Sequence, residues 1–241
     1  MNGALAAVLL DKDGTLFAFQ ETWGPWGARL LRGLATDADH LGRLAGALRF
    51  DLLAERFRPD SPAIAGTPDD QVAILLPHLP GWEAEALRAH LAASSAEVAP
   101  VPAADLPALV AALRARGLGV GVATNDGIGP ARRQLEAAGL GGAFDWVAGC
   151  DSGHGAKPAP GMLLAYTRHA GLPPGRVAMV GDSTHDPEAA RAAGMVGVGV
   201  LTGPAGREAL APHAEAVLDG VGDLLAWLDA RAGRRAPSPR R

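Results

Sequence analysis

The sequence predicts an α/β protein with a Rossmann-like three-layer core: a parallel sheet covered by helices on both faces and interrupted by an all-helical insertion. Three observations predict this. From about residue 105 to 230, short apolar runs alternate with stretches of helical periodicity, the pattern of strands joined by crossover helices. The apolar run Ala4–Leu10 reads as one more buried strand of the same sheet. The stretch from Phe17 to Ala96 is too long for one crossover, has few β-rich runs, and reads largely as amphipathic helix.

The elements follow in order. After the strand Ala4–Leu10, the insertion carries four expected helices: Thr22–Leu34, Leu41–Arg56, Pro68–Leu76 and Trp82–Ser95. Leu16–Gln20 and Ala96–Pro102 connect it to the rest of the chain. Leu106–Arg116 has apolar residues at helical spacing and is stopped by Gly117. Leu118–Ala123 is a strand. Pro130–Ala138 opens with proline at a first helical position and ends before Gly139. Trp146–Ala148 (strand), Pro160–Ala170 (helix), Arg176–Val180 (strand), Asp186–Ala193 (helix) and Val196–Leu201 (strand) complete the alternation. From Arg231 the chain reads RAGRRAPSPRR, basic and proline-rich, which predicts disorder. The resulting division is a core of residues 1–16 and 97–232, a helical cap of 17–96, and a disordered tail of 233–241.

Composition narrows the function. Of 241 residues, 48% are hydrophobic, enough for a folded core and too many for a disordered chain. Lys and Arg number 22 against 26 Asp and Glu, a net charge of −4, so no basic footprint for nucleic acid exists. The single cysteine, Cys150, excludes a disulfide framework and a thiolate metal cluster. The run Ala4–Leu10 stops at Asp11 with no basic residue before it, which predicts neither a secretory signal nor a membrane span, and hence a cytoplasmic protein. Twenty of the 22 basic residues are arginine; lysine is kept only at Lys12 and Lys157. A compact ammonium differs from a forked guanidinium, so those two positions point to specific chemistry.

The chemistry-bearing residues fall at strand ends, where ligands bind in open parallel sheets. Asp11-Lys12-Asp13-Gly14-Thr15 follows the first strand, and residues two apart on a strand share a face, so both carboxylates approach one site. Two acids and a glycine turn suit a divalent cation and an anionic substrate; a merely solvated acidic turn is the plain alternative. The run is not a calcium-binding EF-hand loop, because glycine stands fourth rather than sixth and the twelfth residue is Thr22. Thr124-Asn125-Asp126 closes the next strand with hydroxyl, amide and helix-start N–H groups fit for an anion. Lys157-Pro158 lies in a glycine-rich loop. Gly181-Asp182 through Asp186 ends a further strand and places two carboxylates four residues apart, the second at a helix start where it also suits the helix dipole.

This ordered set, Asp11-x-Asp13-Gly14-Thr15, then Thr124, then Lys157-Pro158, then Gly181-Asp182 through Asp186, resembles the four motifs of the haloacid dehalogenase superfamily. The resemblance covers almost the whole chain except the tail. The insertion resembles that superfamily's helical cap of the first type, and the chain looks most like its phosphoglycolate phosphatase group. The resemblance implies that Asp11 is the nucleophile and a Mg²⁺ ligand. It implies that Asp13 is the general acid and then base, its backbone carbonyl also on the metal. Thr124, the Asn125 backbone and Lys157 would hold the phosphate. Asp182 would be a further metal ligand, with Asp186 supporting the metal or Lys157 from behind. The implied reaction is Mg²⁺-dependent hydrolysis of a small phosphorylated metabolite, with 2-phosphoglycolate as a candidate, through an aspartyl-phosphate.

The alternatives are an isomerase resembling β-phosphoglucomutase and a catalytically silent binding protein. Dehalogenases of the superfamily lack the acid at Asp13, phosphonate-cleaving members need a cap lysine that 17–96 does not contain, and transporting ATPases carry threonine at the Asp13 position. Gly127-Ile128-Gly129 lacks the third glycine of a dinucleotide fingerprint, and Gly181-Asp182-Ser183 does not continue into a nucleophile elbow. Trp23 and Trp26 are expected to pack the core of the insertion. Arg29, Arg32, Arg49, Arg56 and Arg58 are expected on solvated faces, one of them available to read a substrate carboxylate. His154 and His185 flank motifs, with surface placement as the simpler expectation.

Overall fold

A computed structural model describes residues 4–234. Strand β1 (Ala7–Leu10) opens the chain, fully buried on both faces. The insertion follows: α1 (Phe19–Leu34), α2 (Ala38–Ala47), a hairpin of β2 (Phe50–Asp51) and β3 (Arg56–Phe57), α3 (Pro68–Leu75) and α4 (Ala84–Ala96). The chain then alternates through α5 (Leu106–Ala115), β4 (Gly119–Ala123), α6 (Ile128–Ala137), β5 (Trp146–Ala148), α7 (Gly161–Ala170) and β6 (Val177–Gly181). It ends with α8 (His185–Ala193), β7 (Val196–Val200), α9 (Arg207–Leu210), β8 (Ala216–Leu218) and α10 (Leu224–Gly233). Among the described residues no helix is long and apolar enough to cross a membrane.

The six-stranded sheet has the order β5-β4-β1-β6-β7-β8, and every neighbouring pair is parallel. Alternation along the strands sorts the core into two layers. Val8, Leu10, Val120, Val122, Ala178 and Val180 face one side. There they meet Leu109 and Leu113 of α5 and Leu224 and Trp227 of α10. Ala7, Leu9, Val177 and Met179 face the other, against Met162 and Tyr166 of α7 and Ala189 of α8. The chain leaves β1 for β4 on one side and later reaches β6 on the other. The sheet therefore has its topological switch point at β1, where an open α/β sheet forms a crevice.

The insertion packs around an apolar cluster of its own, including Trp26, Leu31, Leu44, Phe57, Leu75 and Leu87. Its two connectors are hydrogen-bonded to each other. Ala18 N–H donates to Val101 O at 2.8 Å, and Ala103 N–H to Leu16 O at 2.9 Å. Thr67 caps α3 in a reciprocal box with Asp70, with Pro68 in the first turn, the start expected for that helix.

Three expectations are corrected. The helix expected over Leu41–Arg56 ends at Ala47, and the hairpin follows, so the insertion is not wholly helical. Arg49 and Glu55 both take φ of 50° at the hairpin's ends, a left-handed conformation that helical periodicity does not reveal. Asp51 accepts from Leu53 and Ala54 N–H at 3.0 and 2.9 Å, stabilising the turn. Second, β8 is a sixth strand that the sequence pattern did not mark; it is three residues long and half-buried. Third, Arg231 does not begin a disordered tail. It is buried in α10, pairing with Glu215 at 2.7 Å beside the Trp227 ring. The rest of the expected tail, 235–241, lies outside the described residues.

Candidate active site

The end of β1 delivers Asp11 to the crevice. Its N–H still donates to Val180 O at 2.8 Å, so the sheet ladder sets its position. The chain then turns: Leu16 and Phe17 N–H both donate to Lys12 O, and Gly14 takes φ of +79°. Glycine is needed at position 14 for a second reason. A Cβ there would lie 2.2 Å from Asp182 Oδ2, and one on Gly203 would lie 1.7 Å from the same oxygen. Thr202 completes the turn by donating to Gly14 O at 2.5 Å. Glycines on two loops thus open the space that Asp182 fills.

Four of the expected residues converge. Lys157 Nζ lies 2.7 Å from Asp11 Oδ1 and 2.7 Å from Asp186 Oδ1. Asp186, wholly buried, accepts at its other oxygen from Ser183 N–H and Oγ at 3.1 and 3.0 Å. Burial raises Asp11 to about 7 despite the opposing ammonium of Lys157, with Asp186 adding to the rise. Burial likewise holds Asp182 well above the carboxylate range, assisted by Asp11 and Asp186. Burial alone would lower Lys157, but the facing carboxylates Asp11 and Asp186 overturn that and hold it protonated. One ammonium does not neutralise three buried acids.

That imbalance tests the fit of a divalent cation. Oxygen atoms of Asp11, Asp182 and Asp186 lie within 4.8 Å of one another. Asp182, only 2% exposed, has just a long 3.4 Å contact from Thr15 Oγ1 as its side-chain hydrogen bond. Hard carboxylate oxygens in a buried, under-neutralised cluster match the donor set of Mg²⁺. The residues present fit that ion. The third side chain of the cluster is Asp186 rather than Asp13, whose expected contribution was through its backbone carbonyl.

Asp13 points elsewhere, and both its oxygens are engaged. Trp23 Nε1–H, from α1 of the insertion, donates to Oδ1 at 2.8 Å. Lys12 Nζ sits 2.7 Å from Oδ2, 3.1 Å from Asp126 Oδ2, and 5.3 Å from the Trp23 ring centroid. Lys12 is completely buried and also donates to Gln134 Oε1. Gln134 in turn donates to Ser95 O, at the end of α4, at 3.2 Å. Lys12 therefore holds the second acid of its own motif and links the sheet to the insertion.

Thr124 is buried at the end of β4, its Oγ1 accepting from Asp126 N–H at 3.1 Å. The Asn125 side chain exchanges hydrogen bonds of 2.8 Å with both the N–H and the carbonyl of Lys157, and donates to Ala65 O of the insertion at 2.9 Å. It fixes the loop that carries the lysine, a task distinct from the backbone role the resemblance implies.

These groups open onto one cavity of about 290 Å³ between sheet and insertion, lined among others by Asp11, Asp13, Thr124, Asn125, Lys157 and Asp182. Trp23 and Trp26 pack the insertion as expected, 5.1 Å apart and edge to face, but they also line the cavity. The sequence reading missed the partners Trp23, Asp126 and Gln134 of the Lys12–Asp13 pair. Only the rarity of lysine signalled that anything was there. Arg32, Arg49 and Arg56 make exposed ion pairs with Glu55, Asp60 and Glu21, and none of them lines the cavity. His154 stacks on Trp146, and neither it nor His185 reaches the cavity.

A buried acid cluster bridged by a lysine at the switch point of a doubly wound sheet defines the class: a Rossmann-like α/β protein with carboxylate chemistry at its strand ends. The model of the haloacid dehalogenase-like hydrolases matches residues 5–194, and the chain belongs to that family. It is 40% identical over 150 residues to a phosphoglycolate phosphatase of Rhodospirillum rubrum, a match covering 59% of this chain and 62% of the relative. The chain thus spans less than two thirds of that relative's length. Among solved structures, CbbY from Rhodobacter sphaeroides in complex with phosphate has a TM-score of 0.73 at 22% identity, covering 93% of this chain and 99% of the other. A family hydrolase from Deinococcus radiodurans, with bound phosphate and sodium, has a TM-score of 0.64 at 26% identity, covering 97% and 99%.

Proposed function

We propose that the protein is a Mg²⁺-dependent phosphatase acting on small phosphate monoesters through a phosphorylated Asp11. The observation that carries this reading is the Lys157 ammonium, 2.7 Å from both Asp11 and Asp186, beside the buried Asp182 in the cavity between sheet and insertion. The names of relatives make 2-phosphoglycolate the first physiological ester to test.

Asp11 Oδ attacks phosphorus, the bond from phosphorus to the ester oxygen breaks, and the phosphoryl group passes to Asp11. Lys157, the Thr124 hydroxyl and the Asn125 backbone N–H hold the phosphoryl oxygens, so that the anionic nucleophile meets an anionic substrate among cations and dipoles. Asp13 gives its proton to the departing alkoxide, then takes one from the water that attacks the acyl-phosphate and releases inorganic phosphate. Trp23 and Lys12 orient the Asp13 carboxylate, which lines the same cavity as Asp11. Mg²⁺ held by Asp11, Asp182 and the Asp13 carbonyl would supply charge neutralisation of the phosphoryl oxygens. The insertion, closing over the cavity as a cap, excludes bulk water from the first step.

The test is turnover of p-nitrophenyl phosphate and a panel of metabolite monoesters. Turnover is expected with Mg²⁺, none in excess chelator, and recovery on adding Mg²⁺ back. Full activity in chelator would overturn the metal assignment, and no turnover of any ester with Mg²⁺ would overturn the phosphatase reading.

A further inference from the structure

The cavity's wall, apart from its phosphate-facing floor, carries information about the other half of the substrate. On the insertion side it is aromatic and aliphatic: Phe19, Trp23, Trp26, Phe57, Ile64 and Leu91 all line it. Its lining holds six aspartates and the two cations Lys157 and Arg88, with Asp13 and Asp126 paired to the buried Lys12 behind it. Lys157 is spent on Asp11 and Asp186. Arg88 already holds two carboxylates, Asp69 at 2.7 Å and Glu85 at 2.5 Å. A substrate carboxylate meeting Arg88 at Nη2, which neither acid engages, would still lie beside both. The gain is small, because such exposed pairs exchange at little net free energy. Arg32, Arg49 and Arg56 are engaged elsewhere and outside the cavity. The volume of about 290 Å³ approaches the lower range of sites for ligands well larger than a two-carbon acid.

We propose that this site prefers phosphate monoesters whose leaving alcohol is neutral and apolar, of aromatic or alicyclic bulk, over esters whose leaving alcohol carries a carboxylate. The proposal rests on the phosphatase reading and selects the substrate class within it. Burial of a ring against the two tryptophans supplies the favourable contact, and Asp69 and Glu85 beside Arg88 weaken the hold of that one cation on an anion.

The experiment compares kcat/KM for benzyl phosphate and 2-phosphoglycolate with Mg²⁺. Both leave as primary alcohols, so leaving-group acidity does not stand in for recognition as it would with an aryl ester. Glucose 6-phosphate serves as a bulky, neutral, polar control. Benzyl phosphate is expected to exceed each of the others by at least tenfold. Ala92→Arg, which adds a cation on the exposed, cavity-lining face of α4, is expected to cut the preference over 2-phosphoglycolate at least fivefold. A preference for 2-phosphoglycolate or glucose 6-phosphate would overturn the proposal while leaving the phosphatase reading intact. Binding of the non-hydrolysable pair phenethylphosphonate and 3-phosphonopropionate, measured by calorimetry, reads selectivity without chemistry. Tighter binding of the phenethyl compound supports the proposal and tighter binding of the carboxylate overturns it, even if p-nitrophenyl phosphate turnover fails.

Discussion

Asp11 and Asp13 stand two residues apart at one strand end, yet their surroundings give them different work. Asp11 shares Lys157 with Asp186 in a cluster that needs more positive charge, whereas Asp13 is held by an indole and the other lysine. Asp11→Asn should therefore remove both chemical steps. Asp13→Asn should keep the nucleophile and lose about 10²–10⁴-fold in steps that need proton transfer. With p-nitrophenyl phosphate, whose leaving group departs without a proton, the Asp13 variant should give a stoichiometric burst of nitrophenol and then slow turnover, in stopped-flow absorbance. A burst from the Asp11 variant would show the roles misassigned. Lys12→Met tests the buried network. It leaves Asp13 and Asp126 facing each other without their cation, and losing one partner of a buried ion pair costs about 3 kcal/mol. The urea midpoint should fall accordingly with an unchanged slope.

At the scale of elements, the insertion meets the sheet through few polar ties. Trp23 reaches Asp13 from α1, Ser95 at the end of α4 accepts from Gln134, and Ala65 accepts from Asn125. Each such bond contributes about 1 kcal/mol net, so parting them is affordable on a catalytic timescale. The connectors, by contrast, are hydrogen-bonded to each other near residues 16–18 and 101–103. The expected motion is rotation of α1 to α4 with the hairpin as one unit about that strap. Crystals with and without a phosphate analogue should show it, and an identical orientation in several free and bound forms would count against it. The Trp23 bond makes this motion chemically relevant. Trp23→Phe keeps an aromatic ring but deletes the N–H to Asp13, and should lower kcat about tenfold, as measured at saturating substrate in steady-state kinetics.

For the whole molecule, the acid cluster is a strain that a bound cation would relieve. Asp11 and Asp182 are raised chiefly by burial, so the folded state without metal holds carboxyls that resist ionisation. A ligand that binds only the folded state at a hundred times its Kd stabilises by about 2.7 kcal/mol. At about 2–4 °C per kcal/mol for a chain of this size, Mg²⁺ should raise the unfolding temperature by about 5–10 °C in scanning calorimetry. Asp182→Asn should abolish that response while the variant remains folded. An equal shift in the variant would place the cation elsewhere.

Much of this was legible in the sequence, for reasons that differ by residue. Ala7–Leu10 and Val196–Val200 are short runs buried on both faces of a parallel sheet, the pattern that marked them as strands. Asp11, Thr124, Lys157 and Asp182 stand at strand or loop ends, and the parallel topology must bring such ends together. The hairpin at residues 50–57 was hidden because a left-handed residue precedes each of its strands, Arg49 and Glu55, inside an otherwise helical pattern. Arg231 looked like tail because its partner Glu215 is distant in the sequence pattern and joins it only when α10 packs down. The sequence by itself determined five of the six strands, the order of the motifs and the acids and lysine at the crevice, because those follow from local periodicity and strand-end position. Tertiary structure alone decided that Trp23 holds Asp13, that Lys12 bridges Asp13 and Asp126, and that Arg88 rather than the arginines of α1 and the hairpin meets the cavity. Trp23 reaches Asp13 across 10 positions and Lys12 reaches Gln134 across 122, and no local signal reports a partner that only packing supplies.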